Sequence, residues 1–145
     1  MSSINEKLVI GYTTGVFDLF HVGHMNILQG ARSLCDYLIV GVSTDELVQQ
    51  EKGITPFIPF SERVSIVENM RFVDKTVSQD SYDKIAAWKV LQFNRVFVGD
   101  DWKGTPRWLE LEVAFKEINV GITYLPYTQS TSSTLIRDLI SRSLI

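Results

Sequence analysis

The chain has 145 residues, 45% of them apolar and 21% charged, with a formal net charge of −3. That is the length of one domain with enough chain to bury a core, so residues 1–145 are expected to form a single unit. The acidic balance excludes a broad electrostatic footprint for nucleic acid, the lone cysteine excludes an intramolecular disulfide, and no apolar run nears the roughly 20 residues of a membrane helix.

Short β-branched runs alternate with segments of helical period. "KLVIGYT" (Lys7–Thr13) reads as a strand, and from Gly23 the residues Met25, Leu28, Ala31 and Leu34 recur at helical spacing. "DYLIVGVS" (Asp36–Ser43) is a nearly continuous apolar strand, as a sheet covered on both faces requires. Cys35, just before it, reads as a small core residue. A short helix around Asp45–Gln50 leads into "KGITPFIPF", a loop by its prolines and glycine. Ser61 is the expected cap of the next helix, which carries Val64, Val67 and Met70. "KTVS" is a third strand, and Ser81 is the expected cap of a helix through about Gln92 with Ile85, Trp88 and Leu91 inward. "RVFVG" (Arg95–Gly99) is a fourth strand. Thr105-Pro106 opens a helix with Trp108, Leu111, Phe115 and Ile118 as its stripe. "GITYLP" is a fifth strand, "QSTSS" a loop and "TLIRDLISR" a last helix.

Five βα units in succession imply parallel strands with right-handed crossovers. The expected fold is α/β: a Rossmann-like, doubly wound, five-stranded parallel sheet with helices on both faces. Ligands in such sheets bind at the carboxyl ends of the strands, where the strand order reverses. Three loops after strands stand out: "GVFDLFHVGH", "GDDWKGTPRW" and "YTQSTSS".

The first of these holds both histidines of the chain, His21 and His24. A zinc site is disfavoured, because the chain lacks a third histidine and its one cysteine reads as core. Phosphate chemistry fits better. A helix opening near Gly23 aims free N–H groups and a positive dipole end at the loop, glycine admits close approach of an anion, and two imidazoles there can donate to phosphate oxygens as negative charge shifts. Neither G-x-G-x-x-G after strand one nor G-x-x-x-x-G-K-[ST] occurs, which disfavours dinucleotide dehydrogenases and P-loop enzymes.

"GVFDLFHVGH" resembles the H-x-G-H signature of the nucleotidyltransferase superfamily. With "RFVDKTV", "GDDWKG" and "TQSTSSTLIRDL" following in that order, the chain resembles the cytidylyltransferase family from about Leu8 to Leu139, and within it the glycerol-3-phosphate type most. The resemblance implies transfer of CMP from CTP to a small phosphomonoester, giving a CDP-linked product of the kind that feeds cell-surface polysaccharide or phospholipid headgroups. It implies magnesium carried with the nucleotide, no resident metal ligand set, and a cytoplasmic homodimer paired near the RFVD segment, with neither nucleic acid nor membrane as partner.

Residue by residue, the resemblance makes His21, His24, Lys52 and Arg63 catalytic. It assigns Gly15, Val16, Phe17, Asp18 and Gly23 to the nucleotide loop, with Asp18 fixing the loop by hydrogen bonds. Gly99, Asp101 and Trp102 fall on the cytosine side, and Thr128, Ser132, Ser133 and Thr134 at the outer phosphates. Three departures bear on the acceptor. Val16 stands where related enzymes often carry threonine, Tyr127 stands where an arginine is usual, and Ser130 replaces a glycine; the loop after Trp102 is also longer. A replacement cation is therefore expected among Arg71, Lys103, Arg107 and Arg137, with Arg107 reaching into the site beside Tyr127. Two other functions remain open: an adenylyltransferase using ATP on a flavin or pantetheine-type phosphate, and a nucleotide-binding module without turnover.

Overall fold

In the computed structural model, which describes residues 8–128 and 131–143, all five expected strands lie in one parallel sheet. Lys7, the expected start of the first strand, and Gln129 and Ser130 of the last loop lie outside the described residues. The strands are β1 (Ile10–Gly15), β2 (Tyr37–Ser43), β3 (Lys75–Gln79), β4 (Arg95–Gly99) and β5 (Gly121–Leu125). The helices are α1 (Val22–Ser33), α2 (Asp45–Lys52), α3 (Phe60–Glu68), α4 (Lys84–Leu91), α5 (Pro106–Glu117) and α6 (Ser133–Ser143), with a 3-10 turn at Asp100–Trp102.

The strand order is β3-β2-β1-β4-β5. The chain winds outward from β1 through β2 to β3, then crosses back to the other side of β1. The reversal therefore falls between β1 and β4, which share only the pairs Gly11↔Arg95 and Tyr12↔Val96, so their carboxyl ends splay apart.

Alternation along the strands sends side chains to two cores. One packs Leu28 and Ala31 of α1 and Val67 of α3 against Leu38, Val40 and Phe97. The other packs Trp108 and Phe115 of α5, with Ile85 and Trp88 of α4, against Tyr12, Ile39 and Val96. Cys35 is buried in the first core as a free thiol, and burial pushes its pKa up. Of the four expected α1 core positions, Leu28 and Ala31 are buried while Met25 and Leu34 are exposed. Four residues spaced by three drift about 60° per step around a 3.6-residue helix, so only the middle pair can face the sheet.

Two expected caps are corrected. Helix α3 starts one residue before Ser61, behind Pro59, and Phe60 N–H is taken by the Asp45 carboxylate at 3.2 Å. Helix α4 is capped by Asp83, which accepts from Ala86 N–H at 3.0 Å, while Ser81 Oγ serves only Asp83 N–H.

Candidate active site

At the splayed ends of β1 and β4 lies a cavity of about 420 Å³, the size of a small-ligand site. Helix α1 points its first turn at it, and the two histidines form that turn's cap. His21, in extended backbone, accepts from Gly23 N–H through Nδ1 at 3.0 Å, and His24 Nδ1 accepts from His21 N–H at 3.2 Å. This is a reciprocal capping box in which two imidazoles replace the usual hydroxyl and carboxylate. Glycine between them is a steric necessity, since a Cβ at Gly23 would sit 2.7 Å from His21 Cε1.

The cap also decides the chemistry of the rings. A nitrogen that accepts a hydrogen bond carries no proton, so each neutral ring holds its proton on Nε2. Burial lowers the pKa of both rings. His24 falls to about 4, chiefly from burial, then from the charge of His21, with Asp18 opposing. The rings stack at 4.0 Å, and His24 is wedged against Phe17 and Phe20 at 5.3 and 5.2 Å. Both line the cavity as neutral N–H donors of fixed orientation.

The loop between β1 and α1 holds Phe17 and Leu19 at φ of 57° and 52°, left-handed values that non-glycine residues adopt at a cost. Three elements hold it there. Asp18, 2% exposed, accepts from Phe57 and Ile58 N–H at 2.9 Å each and pairs with Arg137 of α6. Ser133 Oγ donates to Asp18 C=O at 2.6 Å. Arg63 donates to Val16 C=O at 2.7 Å. Asp18 thus fixes the loop through hydrogen bonds.

Arg63 corrects its expected role. Its side chain is fully buried, and the guanidinium is consumed by Ile58 C=O, Val16 C=O, Ser43 C=O and the Asp45 carboxylate at 2.6–2.8 Å. A buried guanidinium must be paired in this way, and it faces the loop's backbone, outside the cavity lining. The other expected catalytic cation, Lys52, does line the cavity from the last turn of α2, directly before the left-handed cap Gly53.

Across the cavity, Gly99 ends β4, and a Cβ there would lie 2.5 Å from Asp101 Oδ1. Asp101, whose pKa is raised by burial, and the half-exposed Trp102 line that wall. Tyr127 lines it too, its N–H held by Asp100 at 3.1 Å. Thr128 Oγ1 accepts from Asn26 of α1 at 3.0 Å. Ser132 Oγ accepts from Leu135 N–H at 3.0 Å and so caps α6, whose N-terminus also meets the cavity through Thr131 to Thr134. Ser133 is a correction within that group: its hydroxyl proton is spent on Asp18 C=O, so it lines the cavity as an acceptor.

The expected replacement cations are also corrected. Arg107 lies flat on Tyr82, 4.5 Å from the ring centre, and donates to Tyr82 C=O at 3.2 Å. Lys103 sits over Tyr124 at 5.5 Å and Arg71 beside Phe72 at 5.8 Å. None of the three lines the cavity. Each exposed cation has folded onto the nearest aromatic face, which offers attraction without desolvation. Arg137 is the one that lines the cavity, braced on the Phe57 ring at 4.3 Å. Thr14 and Thr131 line it as well and were not singled out from sequence. Thr14 is legible in retrospect as the first residue past the expected end of strand one.

Among the described residues no three His, Cys, Asp or Glu side chains cluster as a metal site, and no helix is long and apolar enough to cross a membrane. The cavity therefore offers two neutral imidazole donors, two helix N-termini, and the cations Lys52 and Arg137. It suits a polyanion whose charge shifts during reaction.

Comparison with known proteins agrees. A family model described as cytidylyltransferase-like matches residues 12–139. The chain is 36% identical over 132 residues to a glycerol-3-phosphate cytidylyltransferase of Bacillus spizizenii, covering 90% of this chain and 95% of that one. It is 31% identical to an FAD synthase of Pyrococcus abyssi, covering 94% and 90%. In three dimensions it is similar to a lipopolysaccharide core biosynthesis protein of Thermoplasma volcanium, with a TM-score of 0.71 at 21% identity, covering 86% of this chain and all of that one; this likeness is one of fold. By the span of the family model and the identity to full-length relatives, the chain belongs to the cytidylyltransferase-like family and is a nucleotidyltransferase.

Proposed function

We propose that the protein transfers CMP from CTP to a small phosphomonoester, glycerol 3-phosphate or a close analogue, releasing pyrophosphate. The observation that carries this reading is the pair of neutral imidazoles locked by their own capping box at the mouth of α1. A phosphate oxygen of the acceptor attacks the α-phosphorus in line. The new P–O bond forms as the bond to the bridging oxygen breaks, and the electron pair leaves with pyrophosphate. Nε2–H of His21 and of His24 donate to the phosphate oxygens on which charge accumulates; one such donor is worth about 10²–10³ in rate. The N–H groups opening α6, the Ser132 and Thr128 hydroxyls and Arg137 hold the outer phosphates, with Arg137 taking the part for which Tyr127 lacks a charge. Lys52 neutralises the phosphates from the α2 side. Asp101 accepts from the exocyclic amine of the base, and Trp102 covers its face. Arg63 and Asp18 keep the loop in its strained shape. No protein nucleophile is required, so the rate comes from positioning and charge stabilisation.

Magnesium fits this donor set as an ion carried by the triphosphate, because it keeps several waters and needs few protein ligands; bound there, it would neutralise phosphate charge. Asp18 does not serve it, its oxygens being engaged by two N–H groups and Arg137. We further propose a cytoplasmic homodimer.

A second reading, an ATP-dependent adenylyltransferase, is favoured by the similarity to FAD synthase and by Tyr127. Pyrophosphate release with CTP and with ATP, over a panel of phosphomonoesters including glycerol 3-phosphate and FMN, separates the two. Turnover with CTP on a small polyol or amino-alcohol phosphate supports the proposal, and turnover with ATP and FMN alone rejects it.

A further inference from the structure

Lys84 is buried without an anionic partner. The first residue of α4, it is 8% exposed, and its ammonium lies 5.6 Å from the Trp108 ring centre. The ion pairs among the described residues are Arg32–Asp74, Arg63–Asp45 and Arg137–Asp18, and Lys84 belongs to none. The charged neighbour that acts on it is Arg107, of like sign. Its single hydrogen bond runs to Thr14 Oγ1 at 3.2 Å. Burying an unpaired ammonium costs free energy, and the other buried cation, Arg63, is by contrast surrounded by acceptors. Burial and Arg107 bring its pKa down to about 8, which leaves Lys84 mostly charged at neutral pH.

The position of this charge gives it a use. Thr14, near the carboxyl end of β1, lines the cavity. Its side chain leaves the sheet on the same face as Tyr12, the face covered by α4 and α5. Lys84 donates to Thr14 Oγ1, so the oxygen acts as acceptor on that side and the hydroxyl's own proton is free to be donated into the cavity. The histidine pair and the N-terminus of α6 reach the cavity from the loop before α1 and from the opposite side of the sheet. An in-line displacement needs that opposition, with the leaving group and the attacking group on either side of the phosphorus.

We propose that Thr14, backed by Lys84, forms the subsite for the acceptor's phosphate: Thr14 donates its hydroxyl proton to that phosphate, and Lys84 is the positioning residue whose buried charge polarises the hydroxyl and supplies the counter-ion field. The proposal rests on the nucleotidyltransfer reading for its assignment to the acceptor, and its test separates the two.

Titrate glycerol 3-phosphate, and separately inorganic phosphate, into wild type, Thr14→Val, Thr14→Ser and Lys84→Met by calorimetry, with pyrophosphate release measured alongside. The expected results are binding weakened at least tenfold in Thr14→Val and Lys84→Met, near wild-type binding in Thr14→Ser, and a KM for CTP within twofold of wild type in all three. The double variant Thr14→Val/Lys84→Met should be no weaker than the weaker single variant, as one coupled unit requires. Lys84→Met should fold with Tm at or above wild type, because an apolar chain of similar length replaces an unpaired buried charge. Unchanged anion binding in folded Thr14→Val or Lys84→Met overturns the subsite, as does wild type that binds neither anion at millimolar concentration. An equal rise in KM for CTP assigns the pair to the nucleotide and overturns it too. Absence of turnover with CTP rejects the functional reading, while the binding comparison still decides the anion site.

Discussion

Acidification should unfold this protein through His24. The ring's pKa lies at about 4 in the fold against an ordinary 6.5, so between those values the unfolded chain binds a proton that the folded chain refuses. The sign follows: the stabilisation is complete above pH 6.5 and is lost as pH falls toward 4. At pH 5 the ratio of binding polynomials is about 30, or about 2 kcal/mol; the full shift would amount to about 3 kcal/mol. The cause is structural. A protonated imidazole donates from both nitrogens, so His24 Nδ1 could no longer accept from His21 N–H, and the ring is buried between Phe17 and Phe20. The assay is urea unfolding of wild type and His24→Asn at pH 7.5, 6.0 and 5.0. Asparagine keeps an acceptor near the Nδ1 position and removes the titration, while His21 and the carboxylates are common to both proteins. Wild type should lose about 2 kcal/mol more than His24→Asn between pH 7.5 and 5.0. Parallel losses in the two proteins would refute the buried, neutral assignment of His24.

His21→Ala and His24→Ala should each lower kcat by on the order of a hundredfold or more, with circular dichroism showing the fold retained; near wild-type rates at saturating substrate would remove the central claim. Arg137→Ala should raise KM for the nucleoside triphosphate and, by leaving the buried Asp18 carboxylate without its cation, cost about 3 kcal/mol in denaturant unfolding. Arg107→Ala should leave kcat/KM for both substrates unchanged, since its guanidinium is committed to Tyr82; a tenfold loss would return it to the site. Light scattering at micromolar protein should give the mass of two chains, and a monomer mass would reject the proposed pairing near Arg71–Asp74.

The order of elements was legible from the chain because it depends on periodicity alone. Apolar runs such as Leu38–Val42 have no polar face to offer and must be covered on both sides, and five βα units leave few topologies. The place of the site followed, since loops at the carboxyl ends of parallel strands converge wherever the order reverses. His21, Gly23 and His24 were legible for a related reason: the cap of one helical turn is a local structure, settled by residues two and three apart.

What the sequence could not settle was where long side chains end. Arg63, Arg107 and Arg137 are the same residue type at helix positions, yet one is walled in by carbonyls, one lies on a tyrosine outside the cavity and one faces the site. Those fates depend on acceptors 18 to 119 residues away, such as Asp45 for Arg63 and Asp18 for Arg137. The caps at Ser61 and Ser81 failed on the same ground in part, because Phe60 N–H finds its acceptor in Asp45, 15 residues earlier. Lys84 is the extreme case: a lysine in a helical pattern reads as solvated surface, and only the packing of α4 and α5 over β1 buries its charge behind Thr14. Local periodicity determines elements and their order, whereas the environment of a charge is a property of the assembled sheet, since the groups that pair with it or exclude water from it come from distant parts of the chain.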